Sequence, residues 1–111
     1  MPDQPSGVSK AFQTFLQRAP KHAGAWMTAI QSLGEASALD KKTGALAYLA
    51  VLAALRLESG VALHVKLARD AGASRDEVIS ALLVGLPAAG HGITQCLPPA
   101  FEAFEAEEPQ R

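Results

Sequence analysis

The sequence lacks most of the features that mark redox, nucleic-acid-binding or membrane proteins. Cys96 is the only cysteine among 111 residues, so no internal disulfide and no cycling thiol pair can form. The formal net charge is -1, and no segment gathers five or six like charges, which argues against nucleic-acid binding. The longest apolar stretch, Gly44 to Leu55, is well short of the roughly 20 residues that a membrane helix needs.

Signal and metal-binding features are equally sparse. The N-terminal segment MPDQPSGVSK has no hydrophobic signal region, so we expect a soluble protein in the cytoplasm, without a membrane partner. The three histidines, His22, His64 and His91, lie in separate segments, and no His-x-x-x-His pair or second cysteine accompanies them. We therefore predict neither a bound metal nor a cofactor.

The residues that are abundant indicate an all-α fold. Apolar residues make up 49% of the chain, but much of that is Ala and Leu, and aromatic residues make up only 5%. This composition favours helices, and the length suits one domain. We expect a frayed leader over residues 1–7, a single helical domain over residues 8–105 and a charged tail over residues 106–111.

Apolar residues at helical spacing predict the first helices. One begins at Val8 and ends near Ala19, and a second begins at Pro20 and carries an apolar stripe through Trp26 and Ile30 to Leu33. We interpret Trp26 and the adjacent methionine as core or interface residues. A third helix, capped by Asp40, is predicted over KKTGALAYLAVLAALRLE, residues 41–58. It is apolar on all sides over residues 45–55, which indicates a central helix or one buried between subunits.

The second half of the chain predicts shorter helices. Residues 60–71 place His64 on an apolar face and end at Gly72, which suits a helix C-terminus. Ser74 and Glu77 form a capping box at the next helix start. Pro87 and the glycines of LPAAGHGITQ indicate a break or a new helix start, and the doublet Pro98–Pro99 then opens a last helical turn or two.

The order of three segments resembles the carboxymuconolactone decarboxylase family, which includes the alkylhydroperoxidase D-like proteins. The segments are LDKKTGALAYLAVLAAL, LHVKLARDAGASRDEVISALL and GLPAAGHGITQCLPPAFEAF, and the resemblance covers about residues 20 to 105. It implies an alkylhydroperoxidase D-like bundle of five or six helices. It also implies a homo-oligomer, in such families often a trimer or a hexamer.

The redox branch of that family carries Cys-x-x-Cys-x-x-x-His, with a Glu some nineteen residues before the His. Aligned on His64, the cysteine positions fall on Leu57 and Gly60, and the Glu position falls on Ala45. Leucine and glycine cannot form a thiolate, and alanine cannot accept a proton. A peroxidase that uses a cysteine pair is therefore disfavoured. A peroxidase that uses Cys96 as its single reactive cysteine is the remaining alternative.

The branch that gives the family its name has no cysteine pair and removes a carboxylate from a lactone. LESGVALHVKLARDAG is closer to that branch, and the resemblance implies an acid/base enzyme on a small carboxylate or lactone, with His64, His91 and Glu58 as catalytic candidates. The alternative for His64 is a buried histidine hydrogen-bonded to a backbone carbonyl, and for His91 a flexible loop histidine. Glu58 lies some 120° from His64 around a continuous helix, so direct pairing is not expected.

A non-catalytic interpretation stays open beside the enzymatic one. An oligomeric binding or scaffold protein that has lost the active groups of the family would also fit the sequence. It would place His64 inside the core, hydrogen-bonded, and its pocket would contain no titratable group with a perturbed pKa.

Overall fold

The computed structural model describes residues 9–106, and every regular element in that range is helical. Two 3₁₀ segments, Glu58–Gly60 and His91–Cys96, separate some of the α-helices. The α-helices are α1 Lys10–Arg18, α2 Pro20–Ala36, α3 Lys41–Ala54, α4 Val61–Asp70, α5 Arg75–Leu83, α6 Leu86–Ala89 and α7 Leu97–Glu105. All of them except the four-residue α6 have nine residues or more, which confirms the predicted all-α fold of five or six helices.

The predicted leader at residues 1–7 and Val8 lie outside the described residues, as does the predicted tail beyond Ala106. No helix within the described range is long and apolar enough to cross a membrane. The cytoplasmic location expected from the sequence stays a prediction.

Side-chain caps fix the beginnings of three helices. Thr43 donates its backbone N–H to Asp40 Oδ1 at 2.7 Å, and Phe12 donates to the Ser9 hydroxyl at 3.1 Å. Ser74 and Glu77 each accept a backbone N–H from the other residue, at 3.0 and 2.8 Å. The predicted cap at Asp40 and the predicted capping box at Ser74 are therefore confirmed, and each satisfies N–H groups that the helix leaves unpaired.

Helices α3 to α7 enclose the hydrophobic core. Helix α3 packs against α4 and α5, and α4 packs against α7. Residues with little or no exposed surface come from α3, α4, α5, α7 and the second 3₁₀ segment, among them Leu49, Val61, Val65, Leu82 and Ile93. We call this part of the chain, residues 41–105, the body.

Arg69 ties the end of α7 to α4. Its guanidinium donates to the carbonyl oxygens of Phe104 at 2.8 Å and Ala106 at 3.0 Å, and it lies 6.0 Å from the centre of the Phe104 ring. Phe104 lies in the last turn of α7 and Ala106 caps its C-terminus, where carbonyl oxygens have no intrahelical partner. The cation also opposes the negative end of the helix dipole.

Helix α3 is buried on one side only. Leu49, Leu52 and Ala53 are covered by the rest of the body, whereas Tyr48 and Val51 are each about half exposed. The expectation that this helix is central holds for its inner face. Its outer face is apolar and uncovered in the single chain.

Helices α1 and α2 form a hairpin that packs mainly on itself, and we call it the arm. Ala23 is the only buried residue of α2, and α1 has none in the described range. Trp26 is 53% exposed, Ile30 43% and Leu33 69%. The stripe predicted from the sequence thus exists, but it is not part of the core of this chain.

Helix ends differ from the prediction at two places. Helix α3 ends at Ala54, not near Glu58, because Arg56 turns the backbone into the left-handed region with φ 59°. The last helix is longer than the predicted turn or two. Pro98 and Pro99 occupy its first turn, where a missing N–H has no cost, and the helix then runs to Glu105.

Candidate functional site

The ring of His64 lies against the ring of Tyr48. His64 is in the first half of α4, beside the buried residues Val61 and Val65, and Tyr48 is on the outer face of α3. The two ring centres are 4.3 Å apart, and the ring planes differ by 20°, so the rings are stacked. The pair therefore marks the contact between the outer faces of α3 and α4.

His64 is partly buried but not sealed. Its imidazole hydrogen-bonds no residue between 9 and 106, and no side-chain nitrogen or oxygen in that range is both buried and unpaired. Both ring nitrogens therefore reach solvent. Burial lowers the pKa of His64 below its ordinary value of about 6.5, because loss of water disfavours the imidazolium.

This arrangement differs from the core histidine considered as an alternative. A core histidine would donate or accept a hydrogen bond inside the protein, since a buried unpaired nitrogen is costly. His64 instead has one ring face covered by Tyr48, and both of its nitrogens reach solvent. Near neutral pH the neutral imidazole dominates, and this form can accept a proton.

Glu58 is exposed and lies in the first 3₁₀ segment. Within the described chain it forms no ion pair or hydrogen bond with His64, in keeping with the angular argument from the sequence. Its charge acts instead on Cys96, where it helps to raise the pKa of the thiol. Its predicted catalytic role stays a prediction.

His91 is exposed at the start of the second 3₁₀ segment, where its carbonyl oxygen accepts the Thr94 hydroxyl at 2.8 Å. The glycines on either side of it have different functions. Gly90 has φ 83°, a conformation that favours glycine, and Gly92 leaves room for a side chain of the same protein. A Cβ at Gly92 would lie 2.6 Å from Nε of Arg56.

The structure shows no hydrogen bond or ion pair among the three predicted catalytic residues. His64 stacks on Tyr48, which lies six residues before the end of α3. Six residues correspond to about 9 Å between Tyr48 and that helix end along the axis. Arg56, just beyond that end, is the residue that reaches the His91 segment. Among residues 9–106, no three side chains of His, Cys, Asp or Glu are grouped so that they could hold a metal ion.

Cys96 lies in an environment opposite to that of a reactive thiol. Its side chain has no exposed surface, and burial, followed by the charge of Glu58, raises its pKa. Reactive cysteines are partly exposed and have a lowered pKa, since the thiolate is the nucleophile. The fold thus uses Cys96 as a small apolar core residue.

A separate apolar groove of about 520 Å³ runs between α3 and α5. Ala47 and Ala50 line it from α3, Ala81 and Val84 line it from the α5 side, and Glu77 lies at one end. There Lys42 Nζ is 2.9 Å from the Glu77 carboxylate, and the pKa of Glu77 is lowered by this contact and by the backbone N–H of Ser74. None of the three predicted catalytic residues lines this groove.

Sequence reasoning missed Tyr48. The signal was present, because Tyr48 is the only tyrosine and interrupts an Ala- and Leu-rich helix. The short connection after α3 makes α3 and α4 neighbours, so residues at similar distances from that connection face each other. Leu52 lies opposite Gly60, where a Cβ would lie 3.6 Å from the leucine side chain, and one turn further Tyr48 lies opposite His64.

Comparison with known proteins gives one match. A family model described as the carboxymuconolactone decarboxylase family matches residues 20–102, from the start of α2 into α7. No curated protein and no solved structure matches the chain significantly. The matched residues make up most of the chain and include α2 to α6 and the greater part of α7. The chain therefore belongs to the carboxymuconolactone decarboxylase family.

Proposed function

We propose that this protein is a cofactor-free acid/base enzyme that acts on a small carboxylate or lactone, with His64 as the proton-transfer group. One observation supports the role above all others. His64 stacks on Tyr48 and forms no hydrogen bond with residues 9–106, both of its nitrogens reach solvent, and burial keeps its pKa below the ordinary value. A neutral imidazole with an open edge is a competent general base near neutral pH.

The proposed step is proton transfer at a carbon next to a carbonyl group. Neutral His64 removes a proton from that carbon, and the electron pair of the C–H bond moves towards the carbonyl oxygen to form an enolate. The imidazolium then returns a proton to the same carbon or to another carbon of the enolate. Where the substrate carboxylate instead leaves as CO₂, the electron pair of the broken C–C bond forms the enolate, and His64 takes a proton from solvent and passes it to the carbon.

Hydrogen–deuterium exchange tests this step even when the product is unidentified. The protein is incubated in D₂O with a panel of small lactones and carboxylates, and proton NMR follows loss of the α-proton signal and of the carboxylate-bearing substrate. Because the nitrogens of His64 reach solvent, a removed proton exchanges with deuterium. We expect exchange or decarboxylation for at least one substrate class.

The matched variants are His64→Gln and His22→Gln. Glutamine keeps a polar side chain but cannot shuttle a proton, so His64→Gln is expected to lower the rate by about 10²-fold or more, within the usual range for general acid–base catalysis. His22 is exposed in the arm and has no role in the proposed step, so its variant should keep the wild-type rate. An unchanged rate in His64→Gln would refute the proposal.

The second part of the proposal is that the protein self-associates as a trimer or a hexamer. It is supported by two apolar surfaces without a cover in the single chain: the stripe of α2, which includes Ile30, and the outer face of α3, which includes Val51. Exposed apolar surface of this extent is typical of interfaces. Light scattering coupled to gel filtration measures the mass, and Ile30→Glu should dissociate the oligomer while the helical content is kept.

The control for that experiment is Thr28→Glu, which adds the same charge to the opposite face of α2. It should leave the oligomer intact. A monomeric wild-type protein, or equal dissociation in both variants, would refute this part of the proposal and leave the role of His64 to its own test.

A non-catalytic binding or scaffold protein is the alternative, and one observation favours it. The groove between α3 and α5 is apolar and contains none of the predicted catalytic residues. In that case the substrate panel shows no turnover, and the His64→Gln and wild-type proteins are indistinguishable in it. A thiol peroxidase is not proposed, because Leu57 and Gly60 stand at the cysteine positions and Cys96 is buried.

A further inference from the structure

We infer that Tyr48 is the positioning residue of His64: its ring, and not a hydrogen bond, fixes the plane of the imidazole. This inference rests on the proposed function for its catalytic meaning. The orientation itself is a structural property, and it can be measured whether or not a substrate is known.

The first step of the argument is the absence of another restraint. Histidines that transfer protons are commonly oriented by a hydrogen bond from one ring nitrogen to a carboxylate or a carbonyl oxygen. Among residues 9–106, no such group hydrogen-bonds His64, and the stack on Tyr48 is its one ring contact. Without the tyrosine ring, the side chain could rotate towards solvent.

The second step of the argument concerns the ring nitrogens, which the stack leaves accessible. A hydrogen bond to one nitrogen would occupy half of the polar edge of the ring. Stacking occupies a face, and both nitrogens stay available to a substrate and to water. One nitrogen can therefore take a substrate proton while the other exchanges with solvent.

The third step concerns the tyrosine hydroxyl. Tyr48 is 51% exposed, and its hydroxyl forms no hydrogen bond within the described part of the chain. The role assigned here belongs to the aromatic ring alone. Phenylalanine should replace it, and a branched aliphatic residue of similar bulk should not.

Ring-current shifts report the stack directly. In proton–carbon NMR spectra, the ring protons of His64 should be displaced from their free values in the wild type and in Tyr48→Phe. The displacement should be lost in Tyr48→Leu. Lys41→Ala is the matched control, because Lys41 is exposed on the same face of α3 two turns before Tyr48 and belongs to neither apolar surface proposed for self-association, and it should leave the His64 signals in place.

Kinetics on a substrate found with the panel give the second measurement. Misplacement of a catalytic group by about 1 Å can reduce a rate by up to about 10²-fold, so we expect Tyr48→Leu to lower kcat at least tenfold. KM should stay within twofold, because the tyrosine acts through His64 and not on substrate binding. Tyr48→Phe should retain kcat within twofold.

Three results would overturn the inference. They are unchanged His64 signals in Tyr48→Leu, a lost displacement with unchanged kcat, or a loss of kcat in Tyr48→Phe as large as in Tyr48→Leu. If Tyr48→Leu does not fold, nuclear Overhauser contacts between the two rings of the wild type decide, and their absence refutes the stack. If His64→Gln keeps full activity, the proposed function fails, whereas the ring-current result still decides whether Tyr48 orients His64.

Discussion

The arm and the body are both helical and both carry apolar helix faces, yet they bury these faces to different extents. In the body, Leu82 of α5 has no exposed surface, and its neighbours come from several helices. In the arm, Leu33 of α2 is 69% exposed, although it belongs to an equally regular apolar stripe. A stripe therefore indicates that a helix face needs a partner, but it does not say whether the same chain supplies that partner.

The strongest way to test this difference is to truncate one leucine in each region. Leu82→Ala should destabilise the protein by about 2–5 kcal/mol, because it removes a fully buried side chain and leaves a cavity. That loss should be the same at every protein concentration. Chemical denaturation followed by circular dichroism measures it.

Leu33→Ala should behave differently. If α2 binds another subunit, the loss of stability caused by Leu33→Ala depends on protein concentration, because association couples to folding by mass action. In the dilute limit the change should be within about 0.5 kcal/mol, as for other surface substitutions. Equal, concentration-independent losses in both variants would contradict the contrast between arm and body.

The next largest expected effect on stability comes from the capping box at the start of α5. Ser74→Ala removes the acceptor of the Glu77 N–H and should cost about 1 kcal/mol. Ser80, an exposed serine within the same helix that caps nothing, is the matched control, and Ser80→Ala should be close to neutral. If the two variants have the same stability, the cap does not stabilise the body.

Glycine should be more stabilising than alanine at the left-handed position after the end of α3. Arg56 has φ 59°, where a residue with a Cβ is about 1–2 kcal/mol less favourable than glycine. Part of that gain is offset by the larger entropy of glycine in the unfolded chain. Thermal and chemical unfolding should therefore show Arg56→Gly about 0.5–1 kcal/mol more stable than Arg56→Ala. The opposite order would show that this turn is not strained.

The smallest expected effect is a pH dependence of stability at His64. Burial lowers the folded pKa of His64 below its unfolded value of about 6.5, so the unfolded state binds more protons in the interval between the two values. Stability should therefore rise with pH through that interval and fall as the protein is acidified. His64→Gln removes this term, and denaturation at pH 5 and pH 8 should show a smaller loss on acidification. An equal loss in both proteins would contradict the assigned burial.

Local sequence patterns predicted the fold well where the cause was local. The caps at Asp40 and Ser74 depend on residues three positions apart, and Pro20 begins α2 as expected. The left-handed turn at Arg56 was missed, because arginine gives no local sign of a positive φ. The conformation belongs to a local turn at the helix end, in which the Leu57 N–H donates to the Leu52 carbonyl at 2.9 Å and the Arg56 N–H donates to the Ala53 carbonyl at 3.1 Å.

The site could be predicted only in part. The resemblance singled out His64, and the missing cysteines at Leu57 and Gly60 already argued against thiol chemistry. Tyr48 was not found, because stacking between two helices depends on their register and not on a motif. For the same reason, the sequence could not place His91 relative to His64, whereas helix geometry already indicated that Glu58 and His64 do not pair.

The pH dependence of kcat/KM tests the central claim most directly, because it reports the protonation state in which the free enzyme reacts. If neutral His64 removes the substrate proton, kcat/KM should increase with pH through a pKa below 6.5 and stay constant above it. The same pKa should appear in the NMR titration of His64. A kcat/KM that falls as the pH rises through this range, or that has no dependence on the His64 pKa, would contradict the account.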